Sequence, residues 1–278
     1  MTKDKKTIHF TKMHGIGNDY IYVDLDRYPI ADLPAFAVKN SDRHFGIGGD
    51  GVVTYNKEAD DLYRMRIFNI DGSEGMMCGN AIRCVAKLVY EGGLMRNNPL
   101  RITTASGIKT LELTIGEEGE MELARVDMGR PVIGDEAFEV NVPDGEVSFT
   151  GTKVSMGNPH YVVFMDTDPE DYPLDRIGPK VETHELFGPD RVNFEIAKVL
   201  DRGTLKMRVY ERGSGLTLAC GTGACATAVA AIRHELVESP VTVRMPGGEL
   251  KIEWDGNAES SVFMTGPAAV AFEGEVSL

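Results

Sequence analysis

The sequence predicts an α+β fold made of two homologous domains, each a mostly antiparallel sheet wrapped around a central helix. One observation is an internal repeat, because the strand-like segment 64–68 recurs as 206–210 at an offset of 142 residues. A Cys-Gly pair follows each copy at the same offset, at Cys78 and Cys220. A second observation is that many short strand patterns surround one strongly helical segment in each half. Two such halves are predicted to be pseudo-symmetric, with the functional site in the cleft between them.

The first predicted domain covers residues 1–122 and contains one central helix. Alternating apolar residues predict short strands at 7–24, 52–55, 63–69 and 101–128, the last group running past the domain boundary. The helix is predicted at 81–91, where a Gly-Gly pair ends it. The glycine-rich loop 42–51 lacks the Lys-Ser/Thr ending of a phosphate-binding loop and opens no βαβ unit. A nucleotide site is therefore not predicted there.

The second predicted domain covers residues 123–266 and repeats the arrangement. Its strands are predicted at 154–156, 161–165, 193–197, 206–210, 241–245, 249–254 and 261–265. One or two helices are predicted at 173–185. The Ala-rich run 221–233 predicts the central helix, because alanine has the highest helix propensity. The last residues, 267–278, are predicted to return to the sheet of the first domain.

The charge and composition indicate a cytoplasmic protein without nucleic-acid or membrane partners. The formal net charge is −14, from 43 acidic and 29 basic residues, and the basic residues form no cluster that could bind an anionic polymer or surface. The N-terminus carries no apolar signal segment, and no apolar run approaches the roughly 18 residues of a membrane span. Cysteines in the reducing cytoplasm are expected to be thiols rather than disulfides.

Each central helix is predicted to begin at a cysteine, Cys78 or Cys220. The first backbone N–H groups of a helix have no intrahelical partner. Their partial positive charge is expected to lower the pKa of a thiol and to bind an anion. Cys84 and Cys225 fall inside the helices and are expected to be inert buried side chains. The cysteines of each half lie six and five residues apart, unlike the Cys-x2-4-Cys pairs of zinc sites, so no metal site is predicted.

Two thiols that face one carbon from opposite sides suit the inversion of a stereocentre. One thiolate would remove a proton and the other thiol would return one to the opposite face, which is general acid–base catalysis. The free N–H groups at Gly79-Asn80 and Gly221-Thr222 could bind a carboxylate and stabilise the charge that grows on it. This scheme requires no cofactor, and the sequence shows no lysine with a pyridoxal signature.

Five motifs of the chain together resemble those of the diaminopimelate epimerase family. They are Gly-Asn-Asp-Tyr at 17–20, Asp-Arg-His-Phe-Gly-Ile-Gly at 42–48, Asn-Ile-Asp-Gly-Ser-Glu-Gly-Met-Met-Cys-Gly-Asn at 69–80, Gly-Asn-Pro-His at 157–160 and Glu-Arg-Gly-Ser-Gly-Leu-Thr-Leu-Ala-Cys-Gly-Thr-Gly-Ala at 211–224. The resemblance implies an isomerase that interconverts L,L- and meso-diaminopimelate in lysine biosynthesis, without pyridoxal phosphate. It also implies a homodimer, since the family is commonly dimeric.

The resemblance implies a role for each matching residue. The catalytic cysteines of the family fall on Cys78 and Cys220. The residues implied to bind substrate are Asn18, Asn69, Gly79, Asn80, Asn158, Asn193, Glu211, Arg212, Gly221 and Thr222. Arg212 is implied to hold the distal carboxylate, which suits a planar guanidinium. His160 and Glu211 are implied to support the thiols as acids or bases.

Two positions depart from the family pattern. Ala81 stands where the family usually has glycine after Cys-Gly-Asn, and a helical position should tolerate this change. Gly51 stands where some members carry a glutamine that contacts substrate, so that contact would be absent or made by the backbone. Neither change touches the predicted acid–base pair.

Two other interpretations stay open. One is another isomerase of the same fold, similar to the proline racemases or to the phenazine-pathway enzymes. The racemases tend to have Cys-Gly-His at the first site and the phenazine type replaces the thiols with an acidic residue, so Asn80 and the thiol pair disfavour both. The other is a non-catalytic protein whose paired thiols form a redox-sensitive disulfide. A related hypothesis is that a disulfide between Cys78 and Cys220 inactivates the enzyme.

Overall fold

A computed structural model of the chain describes residues 7–134, 137–142 and 147–277. The chain divides into two compact units, Met1–Val126 with Gly266–Leu278, and Asp127–Thr265. The domain bounds expected from the sequence, 1–122 with 267–278 and 123–266, stay a prediction. The ends of the first predicted domain, residues 1–6 and 278, lie outside the described residues, as do 135–136 and 143–146 of the second.

The first unit is a mostly antiparallel sheet with two helices. Its strands are β1 (Thr7–Gly15), β2 (Asn18–Asp24), β3 (Gly51–Ala59), β4 (Leu62–Asn69), β5 (Glu74–Gly75), β6 (Leu100–Thr104), β7 (Gly107–Ile115), β8 (Met121–Gly129) and β19 (Ala269–Ser277), and its helices are α1 (Leu33–Ser41) and α2 (Gly79–Glu91). Strand β1 pairs antiparallel with β19 and β2. Strand β2 pairs parallel with β3, β3 pairs antiparallel with β4, and β4 pairs parallel with β6. Strand β7 pairs antiparallel with both β6 and β8.

The second unit repeats this order of pairing. Its strands are β9 (Val132–Ile133), β10 (Phe138–Asn141), β11 (Ser148–Ser155), β12 (Pro159–Phe164), β13 (Asn193–Asp201), β14 (Thr204–Glu211), β15 (Gly215–Leu216), β16 (Val241–Met245), β17 (Gly248–Glu253) and β18 (Val262–Gly266), and its α-helices are α3 (Leu174–Glu182) and α4 (Gly221–Arg233). Strand β12 is antiparallel to β11 and parallel to β13. Strand β13 pairs antiparallel with β14, and β14 pairs parallel with β16. Strand β17 pairs antiparallel with both β16 and β18. The predicted α+β fold of two repeats is confirmed.

A buried central helix lies against the sheet of each unit, as predicted. Both α2 and α4 have 13 residues. Helix α2 packs on β1 and β2, whereas α4 contacts β11 to β14, β16 and β17. Small residues make up most of α4, so the surrounding strands can approach its backbone closely, and every residue from Gly223 to Ala231 is buried. In the described part of the chain, no helix combines the length and hydropathy needed to cross a membrane.

Several elements follow or depart from the sequence-based expectations. The helices expected at 173–185 are confirmed as α3 and the 3-10 helix Glu185–Phe187. Helix α1 was not predicted, because its pattern of apolar residues is weak and its N-terminus depends on a cap. The Asp32 side chain supplies that cap by accepting a hydrogen bond from Ala35 N at 3.0 Å, and Pro34 occupies the first turn.

The two departures from the family pattern fit their local backbone. Ala81 lies inside α2 and is fully buried, so the helical position expected to tolerate it is present. Gly51 begins β3 opposite Asn69 of β4. A Cβ atom at Gly51 would overlap the Phe68 carbonyl oxygen and lie 3.2 Å from Asn69 Cα. Because backbone atoms cannot swing away, this position excludes any side chain in the present backbone.

We expect Gly51→Ala to lower the free energy of unfolding by about 2–3 kcal/mol, because the added methyl overlaps backbone rather than a flexible side chain. The matched control is Gly75→Ala, since a Cβ there would meet its nearest neighbours at 3.8 Å, an ordinary van der Waals distance. Urea unfolding followed by circular dichroism measures both. Equal stabilities of the two variants would contradict the close approach at Gly51.

Candidate active site

A cysteine caps the N-terminus of each central helix. Cys78 precedes α2, and its Sγ accepts a hydrogen bond from Ala81 N at 3.5 Å. Cys220 precedes α4, and its Sγ accepts from Gly223 N at 3.3 Å. Both cysteines have extended backbone dihedral angles, as residues at the N-cap position do. The predicted placement of both thiols at helix N-termini is confirmed, and all four cysteines of the chain are free thiols.

Two asparagines surround the Cys78 thiol in the first unit. The thiol donates to Asn18 Oδ1 at 3.3 Å, and Asn80 Nδ2 donates to the same oxygen at 3.3 Å. The other end of the Asn18 amide is fixed, because its Nδ2 donates to Asp50 Oδ2 at 2.7 Å. An amide oxygen can accept from a sulfur only while the sulfur keeps its proton, so this contact forms with the thiol.

The loop 42–51 supports Asn18 through a network of charges. Arg43 Nη2 bridges Asp19 Oδ1 at 2.7 Å and Asp50 Oδ1 at 2.9 Å, and the buried Lys12 ammonium lies 2.5 Å from Asp19 Oδ2. Burial raises the pKa of the Asp19 carboxyl, but the hydrogen bonds from Arg43 and Lys12 together lower it by more, so its pKa lies below the ordinary value. The sequence pattern predicted no role for Lys12, Asp19, Arg43 or Asp50, although three of them lie in or next to the motifs 17–20 and 42–48.

A buried arginine holds the first turn of α2. Arg83 is fully buried, and its guanidinium donates to Gly79 O at 2.9 Å, to Asn80 Oδ1 at 3.0 Å and to Pro267 O at 3.0 Å. Asn80 therefore uses its side chain on Asn18 and Arg83, and its backbone N–H is the group that could face a ligand. Asn69 ends β4, and its Nδ2 donates to Ser73 Oγ at 3.0 Å rather than to the residues around Cys78.

In the second unit a chain of polar contacts ends at Cys220. Cys220 Sγ lies 3.5 Å from Thr222 Oγ1, which accepts from Asn158 Nδ2 at 3.2 Å. Asn158 Oδ1 lies 3.0 Å from His160 Nε2. His160 Nδ1 in turn lies 2.6 Å from Glu195 Oε1, and both of these side chains are fully buried. The expected residues Asn158, His160 and Thr222 are thus brought together with Cys220, and Glu195 was missed.

Burial and nearby carboxylates raise the pKa of the Cys220 thiol well above its ordinary value. Burial is the largest cause, followed by the charges of Glu211 and Glu195, while the hydrogen bonds of Thr222 and Gly223 lower the pKa by less. The expectation that the helix N-terminus would lower the thiol pKa is therefore wrong for Cys220. A partial charge at a helix end is weaker than full burial beside two carboxylates.

The remaining expected residues form a third cluster, in the turn after β14. Asn193 is buried, accepts from Arg212 N at 2.9 Å and donates to Pro159 O at 3.0 Å. The Arg212 guanidinium is exposed and donates to Asp190 O at 2.6 Å. Glu211 accepts a hydrogen bond from the Thr217 hydroxyl.

The cysteines inside the central helices have the expected structural character. Cys84 and Cys225 are fully buried, and burial raises the pKa of Cys84 to about 11. Across the described residues, no group of three or more His, Cys, Asp or Glu side chains is placed to hold a metal ion.

Comparison with known proteins gives one family over nearly the whole chain. The family model described as diaminopimelate epimerase matches residues 10–134 and 152–271. Diaminopimelate epimerase of Acetivibrio thermocellus is 49% identical over 282 residues, covering 98% of this chain and 99% of the relative. The enzyme of Bacteroides thetaiotaomicron is 49% identical over 97% of this chain and 98% of its own length. That of Methanococcus maripaludis is 46% identical over 97% and 99%.

Solved structures of lower identity share the fold. A hydroxyproline epimerase from Agrobacterium vitis superposes with a TM-score of 0.73 at 14% identity, over 100% of this chain and 94% of that one. A phenazine biosynthesis protein of the PhzF family from Enterococcus faecalis gives a TM-score of 0.73 at 16% identity, over 98% of this chain and 100% of that one. At this level of identity the likeness shows the fold alone, so the proline and phenazine interpretations gain no support from it.

We expect Glu211→Gln to speed alkylation of Cys220 by iodoacetamide about tenfold at pH 8. Neutralising a carboxylate that faces the thiol removes like-charge repulsion, which lowers the thiol pKa, and one pKa unit is about a tenfold change in thiolate below the midpoint. Peptide-resolved mass spectrometry follows Cys220 separately from the other thiols. The control is Glu238→Gln, an exposed carboxylate paired with Arg202. Unchanged or slower labelling in a folded Glu211→Gln protein would contradict the assigned cause of the raised pKa.

Proposed function

The chain belongs to the diaminopimelate epimerase family, which interconverts L,L- and meso-diaminopimelate in lysine biosynthesis. We propose that Cys78 and Cys220 are the two acid–base groups of this reaction. The observation that carries this proposal is that each unit places one cysteine at the N-cap of its buried central helix. Membership of an enzyme family also removes the interpretation of a non-catalytic pair of redox thiols.

The proposed reaction moves one proton off the α-carbon and another onto it. One sulfur enters as a thiolate and accepts the α-proton, while the electron pair of the broken C–H bond spreads into the α-carboxylate. The other sulfur enters as a thiol and donates its proton to the opposite face. The configuration is inverted, and the thiol and thiolate have exchanged places. The reverse reaction then starts from the product without any further change in the enzyme.

Charge balance is proposed to create the thiolate. Burial and the nearby carboxylates Glu211 and Glu195 disfavour a negative charge on Cys220. An α-ammonium group bound near these carboxylates would offset their charge and favour the thiolate. Glu211, which accepts from Thr217, is the carboxylate we propose to take up the thiol proton, and His160 supports it.

The proposed substrate contacts use backbone N–H groups for the α-carboxylate. The first turn of each central helix offers donors without an intrahelical partner, at Gly79-Asn80 and at Gly221-Thr222. These donors would also stabilise the charge that grows on the carboxylate in the transition state, which is why we propose that no cofactor and no metal takes part. Asn80 would act through its backbone, because its amide is bound by Asn18 and Arg83.

Amide and guanidinium groups are proposed to hold the remaining polar groups of the substrate. Asn18, Asn69 and Asn158 would use their side-chain amides. Arg212 would pair with the distal carboxylate, and its exposed guanidinium is accessible for this. Asn193 would act by holding the backbone of Arg212, since it accepts from that N–H at 2.9 Å.

We further propose that the enzyme is a cytoplasmic homodimer. Four free thiols suit a reducing compartment. Val270 and Phe272 lie near each other on β19, and 46% and 48% of their surfaces are exposed. Neighbouring exposed apolar side chains on one strand are typical of a surface that another chain covers.

Replacing either proposed catalytic cysteine with serine should lower kcat at least about 1,000-fold, because a hydroxyl is a far weaker acid and base than a thiol near neutral pH. The test variants are Cys78→Ser and Cys220→Ser, and proton NMR of L,L-diaminopimelate measures formation of the meso isomer. The control is Cys225→Ala, a buried position within α4 that should keep activity within about twofold. Full activity of either serine variant would contradict the proposed roles.

We expect the wild-type protein to be a dimer and Phe272→Glu to shift it to the monomer, because a buried unpaired carboxylate would oppose association. Size-exclusion chromatography with light scattering measures the mass at several concentrations. Leu186→Glu, at an apolar side chain of the other unit that is 54% exposed, is the matched control and should leave the dimer intact. A monomeric wild type, or a dimer that survives Phe272→Glu, would refute this arrangement.

A further inference from the structure

A fully buried carboxylate lies beside the first turn of α4, although sequence reasoning assigned it no role. Glu195 is on β13, and its Oε1 meets His160 Nδ1 at 2.6 Å. Its Oε2 has no hydrogen-bond partner among the described residues, so the carboxyl depends on His160. The group also lies close to Cys220, because a Cβ at Gly223 would be 2.8 Å from Glu195 Oε1 and 3.2 Å from Cys220 Sγ.

The chemistry of each group determines where the protons lie along this chain. An amide oxygen can only accept, so the 3.0 Å contact from Asn158 Oδ1 to His160 Nε2 requires a proton on Nε2. The short contact between Nδ1 and Glu195 then needs one further proton, held by either the ring or the carboxyl. In both cases the pair shares one proton and carries no net charge. Burial raises the pKa of Glu195, which helps to retain that proton.

The remaining hydrogen bonds run from this pair towards the thiol. With its oxygen facing His160, the Asn158 amide turns its Nδ2 to Thr222 Oγ1, 3.2 Å away. The hydroxyl accepts that bond and has its own hydrogen available to donate to Cys220 Sγ, 3.5 Å away. A hydroxyl that donates to sulfur stabilises the thiolate. Each link therefore orients the next.

We propose that Glu195 is a positioning residue for Cys220. The proton that it shares with His160 orients the amide of Asn158 and the hydroxyl of Thr222, so that the hydroxyl donates to the sulfur. Without the shared proton, Nε2 would become an acceptor and the amide would turn to donate to it. The hydroxyl would then donate to the amide oxygen, and the thiol would donate to the hydroxyl. The protonation of the buried pair thus selects which form of Cys220 is stabilised.

Among the described residues, the titratable side chains that act on this hydrogen-bonded chain come from three strands. Glu195 on β13 and Glu211 at the end of β14 act on Cys220, and Glu211 also acts on Glu195. His160 on β12 faces Glu195. The role of Glu195 rests on the proposed function of Cys220. Neither measurement below requires turnover, however, so a failure of this role and a failure of the proposed reaction give different results.

The first measurement determines which nitrogen of the His160 ring is protonated in the intact wild-type protein. Histidine labelled with nitrogen-15 is observed by NMR at pH 7 and pH 8, and the ring is assigned through its contacts with neighbouring residues of β12 and β13. We expect a proton on Nε2 at both pH values. A ring that is protonated only at Nδ1 would overturn the proposal, whatever the activity of the enzyme.

The second measurement is the pH midpoint of Cys220 alkylation by iodoacetamide, resolved by peptide mass spectrometry. Thr222→Val removes the hydroxyl and keeps the shape, and it should raise the midpoint by about one pH unit, whereas Thr222→Ser should stay close to wild type. Glu195→Leu can neither share a proton with Nδ1 nor donate to it, so the ring loses the partner that holds the proton on Nε2, and the midpoint should rise by about half a unit. The same change should have almost no effect when Thr222→Val is already present, because both act through one hydroxyl.

A different mechanism gives the opposite pattern in this double-mutant cycle. If Glu195 acted only through its negative charge, Glu195→Leu would lower the midpoint, and it would do so equally in the wild-type and Thr222→Val proteins. Equal shifts in the two backgrounds, in either direction, would overturn the proposal. If Glu195→Leu does not fold, the NMR measurement on the wild type and the comparison of Thr222→Val with Thr222→Ser decide the outcome.

Discussion

The capping of each central helix by a cysteine sulfur is the constraint on which the site depends. A buried helix N-terminus must satisfy backbone N–H groups that have no intrahelical partner, and sulfur is a weak acceptor for this purpose. The backbone hydrogen bonds that cap the helices at Cys78 Sγ and Cys220 Sγ are long, at 3.5 and 3.3 Å. The other donors of the first turn stay available for an anion. We propose that the same few residues supply both helix capping and carboxylate binding.

Burial at the N-terminus of α4 disfavours the thiolate of Cys220, and neighbouring groups offset this effect. Full burial and two carboxylates raise the pKa of Cys220, so its thiolate forms only when positive charge or hydrogen-bond donors compensate. The chain from Glu195 through His160 supplies donors, and the ammonium group of the substrate would supply charge. At Cys78 the balance is different, because Asn18, fixed by Asp50, accepts from the thiol and favours its protonated form.

The repeated features of the fold could be predicted from the sequence, and the supporting contacts could not. The 142-residue repeat, the central helices and the cysteines at their N-termini are local patterns, and the structure confirms each. Glu195 looks like an ordinary strand residue until the parallel pairing of β12 and β13 places it beside His160. The support of Asn18 by Asp50 likewise joins residues 32 positions apart. The prediction of a low pKa for Cys220 was wrong because burial raises this pKa, and burial depends on the packing of the whole unit rather than on the helix end.

Deuterium incorporation during the first turnover tests the two-thiol account most directly. L,L-diaminopimelate is converted in deuterium oxide by a stoichiometric amount of enzyme, and proton NMR and mass spectrometry compare the product with the recovered substrate. Because the donor thiol carries deuterium from the solvent, we expect the inverted α-carbon of the meso product to be deuterated while unreacted substrate keeps its proton. A product that retains the substrate's own proton would show that one group both removes and returns it, and would contradict the assignment of separate roles to Cys78 and Cys220.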